Sequence, residues 1–160
     1  KKLFLKLSKL RNLGGIKKYQ HDMIAYNSRL DSIQASILIN KLKHLDKNNK
    51  KRQVIARYYN NNIKNNCIQK LRYSKGCVFH QYVILSKKEN KIRKTFEKFN
   101  IPYGKHYPKP IHKLNATKKI FKNQKFKNSE INARYGLSLP IDPNLSKANL
   151  VKICKILNSI

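Results

Sequence analysis

The sequence predicts an α/β chain of the α+β kind, in which a long helix leads into a small sheet flanked by helices. Three observations point there. Leu30, Ile33, Ile37, Leu38, Leu42 and Leu45 recur at three-, four- and seven-residue steps, the period of one apolar helix face. Residues 77–85 are rich in Val, Ile, Tyr and Phe, as a strand is. Ile92, Phe96 and Phe99, and later Leu150, Val151, Ile153, Cys154 and Leu157, mark helices that can cover it.

Element by element, Lys1 to Leu10 reads as an amphipathic helix ending at Gly14-Gly15. Lys6 and Lys9 interrupt its apolar run, which is too short for a signal peptide core or a membrane span. Ile16 to Asn27 is a polar and aromatic loop. Ser28 with Asp31 reads as a capping box, placing the open N–H groups of a helix start beside Asn27 and Arg29, a ready anion site. The helical pattern continues through Val54, Ile55, Tyr58, Tyr59 and Ile63, predicting one helix over 29–64, weakest at Asn48-Asn49 and stopped by the Asn60–Asn62 run. A break over 64–78 is expected to separate a helical arm, residues 1–64, from a small α+β domain, residues 65–160. In that domain the pattern predicts a strand over 77–85, a helix over 88–99 and a short strand over 102–107 stopped by Pro108 and Pro110. Helices over 115–121 and 129–135 follow, then an extended 137–141 and a last helix capped by Ser146.

The balance of 37 Lys+Arg against 7 Asp+Glu, formally +30, would ordinarily suggest nucleic acid or an anionic surface. The basic residues run from Lys1 to Lys155 and accompany abundant Asn, Ile and Tyr, a set favoured by AT-rich codons. Salt-dependent, non-specific attraction to polyanions is therefore expected, and no specific nucleic-acid partner. Cys67, Cys77 and Cys154 are odd in number and lack metal-binding spacing, so no disulfide framework or metal site is expected, in keeping with a reducing cytoplasm. The five His and seven carboxylates fall in no ligand or triad spacing.

Four segments share a wider pattern: Tyr26-Asn27-Ser28-Arg29-Leu30-Asp31-Ser32-Ile33-Gln34-Ala35-Ser36, with Lys41-Leu42-Lys43-His44-Leu45-Asp46; Phe79-His80-Gln81-Tyr82-Val83-Ile84; Ile101-Pro102-Tyr103-Gly104-Lys105-His106-Tyr107-Pro108-Lys109-Pro110-Ile111-His112; and Leu137-Ser138-Leu139-Pro140-Ile141-Asp142-Pro143. In order and spacing they resemble the C-terminal portion of the DegT/DnrJ/StrS family of sugar aminotransferases, which use pyridoxal 5′-phosphate (PLP). The resemblance runs from about Leu10 to the end. It implies the C-terminal part of a fold-type I PLP-dependent transferase and a homodimer, or a separate cofactor-domain chain as partner. The family's Schiff-base lysine would lie upstream of Lys1, so no catalytic residue is expected here, and the Lys-Lys start suggests a partial, processed or incomplete product.

By the same resemblance, Asn27 matches the family residue that reaches across the dimer to the cofactor phosphate, where an amide donor suits the task. Read alone, without that resemblance, it is a turn or cap Asn. Arg29 has a planar fork fit for phosphate or carboxylate, or is simply solvated. His106 and Tyr107 match a pair lining the nucleotide-sugar pocket, and both can donate to phosphate oxygen. His112 belongs to the same frame, and Lys18 is a further candidate phosphate contact. Departures stand at Ala25, where the family has Gly, around Leu114, Asn115 and Thr117 in the substrate loop, and at Lys127. The expected function is the C-terminal portion of an aminotransferase acting on a nucleotide-linked keto sugar, inactive alone. The alternatives are one subunit of a split enzyme, or a basic non-catalytic chain that binds by charge. No membrane association is expected.

Overall fold

The computed structural model describes residues 1–122 and 124–160. It divides into two compact units, Lys1–Leu45 and Asp46–Ile160.

The first unit holds helices α1 (Lys2–Arg11) and α2 (Ser32–Leu42) and the loop between them. That loop folds back on the end of α1: Tyr26 N donates to Leu10 O and Leu13 N to Tyr26 O, both at 3.0 Å, and Ser28 N donates to Arg11 O at 2.9 Å. The Gly pair permits this return. A Cβ on Gly14, whose φ is +88°, would lie 1.9 Å from Met23 O, and one on Gly15 would lie 1.6 Å from Gln20 O. These bonds also explain why the expected capping box does not form. With Ser28 N committed to Arg11 O, residues 28–30 stay non-helical, and Asp31 becomes the N-cap, without a side-chain capping bond. The apolar face of α2 is not buried: Ile33, Ile37, Leu38 and Leu42 are all more than half exposed.

The single helix expected over 29–64 is two helices. Its break falls at Lys43-His44, where His44 N turns back to Lys41 O at 3.1 Å, and not at Asn48-Asn49, which lie within α3 (Leu45–Asn62). The division between units therefore comes earlier than residue 64. Ile55, Ala56 and Tyr59 of α3, with Ile63 just beyond it, belong to the core of the second unit.

That core is built on a three-stranded antiparallel sheet in the order β1 (Gln69–Lys70), β2 (Tyr82–Leu85), β3 (Gly136–Leu139). Tyr82 pairs with Leu139 and Ile84 with Leu137. Helices α4 (Glu89–Lys98), α5 (Lys127–Tyr135) and α6 (Lys147–Asn158) complete the unit, and Ile92, Phe96, Leu150, Ile153, Cys154 and Leu157 join the core. The two phenol groups of this core have hydrogen-bond partners. Tyr59 OH donates to Pro140 O at 2.7 Å, and Tyr82 OH to Asn60 Oδ1 at 2.6 Å. Burial raises both phenols above their ordinary titration range and pushes the Cys154 thiol up to about 11. As expected, Ser146 caps α6, its hydroxyl accepting from Asn149 N at 3.2 Å.

Three further expectations change. The strand over 77–85 is confined to Tyr82–Leu85, because Phe79 takes φ +52° and turns its ring into a cluster with Tyr73 and Tyr82. The 102–107 strand reduces to one bridge, Gly104 with Ser138. Residues 115–121 form successive turns with mixed spacing, Lys118 N to Leu114 O and Ile120 N to Thr117 O, rather than an α-helix.

Phe96 has no solvent exposure. Phe96→Ala is expected to lower the unfolding free energy by about 3–5 kcal/mol in urea denaturation followed by near-UV circular dichroism. A loss below about 1 kcal/mol would show that this core does not carry the unit.

Candidate functional site

The first unit carries Lys18, Asn27 and Arg29. Asn27 sits in an isolated bridge with Asn12, so the end of α1 sets its backbone. Arg29 Nε donates to Asn27 Oδ1 at 3.1 Å. That bond assigns the amide: with Oδ1 turned to the guanidinium, Nδ2 keeps its two N–H donors. Both side chains are exposed, and together they offer amide and guanidinium N–H donors and one positive charge. The expected helix N-terminus is not beside them, because α2 begins at Ser32. Lys18 is exposed, its Nζ 4.8 Å from the centre of the Tyr19 ring.

The second unit carries His106, Tyr107 and His112. The segment that holds the first two is tied to β3 by two backbone bonds, Ser138 N to Gly104 O at 2.8 Å and Gly104 N to Ser138 O at 3.1 Å. His106 Nδ1 lies 3.0 Å from Ser138 Oγ, and its ring meets that of Tyr107 edge-on. Lys105, which precedes His106, reaches Arg134 O at 2.9 Å and pairs at 3.1 Å with Glu89, a buried carboxylate that Arg93 also meets at 3.1 Å. Three anchors thus fix this short stretch while leaving His106 and Tyr107 exposed.

Tyr107 and His112 line one cleft of about 340 Å³ with Pro110, Ile111, Phe121 and Phe126. Its walls are mainly apolar, a setting suited to the ring and methyl surfaces of a ligand. His106 is not among the lining residues. His112 is engaged by a carboxylate. Its ring is buried, Nε2 lies 3.1 Å from Glu130 Oε1, and the ring packs 4.9 Å from that of Phe126. Lys113 meets the other Glu130 oxygen at 2.8 Å. His112 therefore ties the 111–113 turn to α5 as well as facing the cleft.

Ser138, Glu130 and Glu89 were not singled out from the sequence. Glu89 and Glu130 carried one available signal, scarcity: in a chain with seven acidic residues, each carboxylate is apt to be shared by several cations.

A model of the DegT/DnrJ/EryC1/StrS aminotransferase family matches residues 1–158. This chain belongs to that family. A dTDP-3-amino-3,6-dideoxy-alpha-D-galactopyranose transaminase from Aneurinibacillus thermoaerophilus is 36% identical over 155 residues, covering 96% of this chain and 42% of its own length. Among solved structures, S. venezuelae DesV in complex with a ketimine intermediate superposes with a TM-score of 0.87 at 28% identity, over 98% of this chain and 43% of that one. NtdA from Bacillus subtilis, solved with bound cofactor PMP, has a TM-score near that level at 22% identity, covering 98% of this chain and 39% of that one, a likeness of fold alone. The chain therefore spans about two fifths of the length of the relatives it matches. In this family member, no described helix is long and apolar enough to cross a membrane.

The Lys113 ammonium first, and His112 second, hold the Glu130 carboxyl below the ordinary carboxylate range. Its contribution to stability is complete above the ordinary glutamate value and is lost as pH falls through the lowered folded value. Glu130→Gln is expected to flatten the acid limb of the unfolding midpoint plotted against pH in that window. Acid limbs of equal slope in the two proteins would contradict the pairing.

Proposed function

We propose that this chain furnishes the C-terminal portion of a PLP-dependent aminotransferase that aminates a nucleotide-linked keto sugar. The observation that carries the reading is the family match over residues 1–158. The side chains agree with it. The Asn27–Arg29 pair presents amide donors beside a fixed positive charge, which suits a phosphate ester, so these residues fit the phosphate of the cofactor. When bound, PLP serves as the electron sink that lets an amino group move from donor to sugar.

The chain's own contribution is binding and orientation. Asn27 and Arg29 would hold the cofactor phosphate, within a homodimer or beside a separate cofactor-domain chain, with Lys18 a further phosphate contact. His106 and Tyr107 would donate to the diphosphate of the sugar nucleotide, and the apolar cleft walls that begin at Tyr107 would take part of the sugar. His112 would act there by holding the cleft's turn against α5, its ring being engaged by Glu130. The lysine that carries the amine is expected from outside these residues, as the resemblance implies.

A chimera tests this reading: residues 1–160 replace the matching C-terminal part of the Aneurinibacillus thermoaerophilus relative. The chimera should aminate a dTDP-linked keto sugar with glutamate as donor. Asn27→Ala should weaken cofactor retention roughly tenfold or more, as expected for losing a hydrogen bond to a charged group. A folded, cofactor-loaded chimera that aminates no nucleotide-linked keto sugar would overturn the proposal.

A further inference from the structure

Ser138 is buried within β3, so its hydroxyl proton needs an acceptor. Among the described residues the partner within hydrogen-bond distance of Oγ is His106 Nδ1, at 3.0 Å. A serine hydroxyl that donates to Nδ1 requires that nitrogen to be unprotonated, which leaves the single proton of the neutral ring on Nε2. The opposite arrangement, Nδ1–H donating to Oγ, would strand the hydroxyl proton in a buried place with no acceptor.

The ring is also seated sterically. A Cβ on Gly104 would lie 2.4 Å from His106 Cε1 and 2.9 Å from Nδ1, so the imidazole occupies the space that a side chain would fill. The same Gly104 exchanges both backbone hydrogen bonds with Ser138. One strand residue thus grips the backbone at 104 and the ring at 106, and Nε2 has no partner among the described residues.

We propose that Ser138 is a positioning residue that fixes His106 in the Nε2–H tautomer, so that the chain offers a neutral N–H donor to a phosphoryl oxygen of its ligand. The assignment of the ligand rests on the nucleotide-sugar reading above; the tautomer does not. A histidine held this way selects for a hydrogen-bond acceptor at that point and against a donor.

The test is a long-range ¹H–¹⁵N correlation spectrum of the histidine rings of the full chain, recorded above the imidazole titration range. His106 should show a protonated Nε2 and an acceptor Nδ1, set apart from the averaged pattern of exposed rings such as His80. Ser138→Ala should return His106 to that averaged pattern, whereas Ser138→Thr, which keeps the hydroxyl, should preserve the fixed one. Gly104→Ala leaves Ser138 in place but displaces the ring, and should also lose the signature, which keeps the test open should Ser138→Ala fold poorly. Thymidine diphosphate in moderate salt is the ligand probe, with affinity expected to fall about tenfold in Ser138→Ala and to hold in Ser138→Thr. An Nδ1–H ring in the unaltered chain, or a signature indifferent to Ser138→Ala, overturns the proposal. A tautomer that follows Ser138 while thymidine diphosphate affinity does not change overturns the donor role of His106. A chain whose tautomer follows Ser138 but which binds no thymidine diphosphate supports the coupling and overturns the nucleotide-sugar reading instead.

Discussion

Strand β3 is held on both edges, and what the second unit can offer a ligand depends on that double hold. On one side it pairs with β2 through Tyr82–Leu139, Val83–Ser138, Ile84–Leu137 and Leu85–Gly136. On the other it bridges Gly104. All four of its residues are buried, so its position is set by the core rather than by solvent-facing contacts. Helix α5 runs into it without a loop, which is possible because residue 136 is glycine: a Cβ there would lie 2.4 Å from Asn132 O. The same helix supplies Glu130, the anchor of the His112 turn, and the Arg134 carbonyl that receives Lys105. A shift of β3 would therefore move His106, and a shift of α5 the cleft.

Charge is the second constraint. With a formal charge of +30, carboxylates are scarce enough that each placement is consequential. Glu89 serves Arg93 and Lys105, Glu130 serves His112 and Lys113, and Asp22 is paired with Lys9, which holds its carboxyl below the ordinary range. Two of these three clusters brace the segments that carry the candidate ligand groups. The remaining lysines add a diffuse field that attracts any polyanion and falls off with salt. Specific recognition must come from directional donors, which is where the Asn27–Arg29 pair and His106 differ from the surrounding ammonium groups.

Much of this was legible in the residues, and the failures share a cause. Periodicity located α2, α3, α4 and α6, and the Val- and Ile-rich run located β2, because those patterns are local. Helix α2 starts three residues later than the local pattern predicts, at Ser32, because Ser28 N bonds to Arg11 O, a tertiary pairing that no local capping rule contains. The 102–107 strand contracted to a bridge because β3 offers it only Ser138. His106 and Tyr107 stand out by their family frame, but that Ser138 faces the imidazole, and that Glu130 claims His112, are facts of contact between segments apart in sequence. They became visible only with the fold.

The recognition of a nucleotide diphosphate proposed for this chain rests on a few directional donors and not on its overall charge. The most direct measurement is a backbone-amide chemical-shift map of the full chain titrated with thymidine diphosphate at elevated ionic strength, where the diffuse field is screened. Perturbations are expected to concentrate at Gly104–Pro108 and the His112 turn and to persist as salt rises. Perturbations scattered over the lysines of α4 and α6 and fading with salt would contradict it.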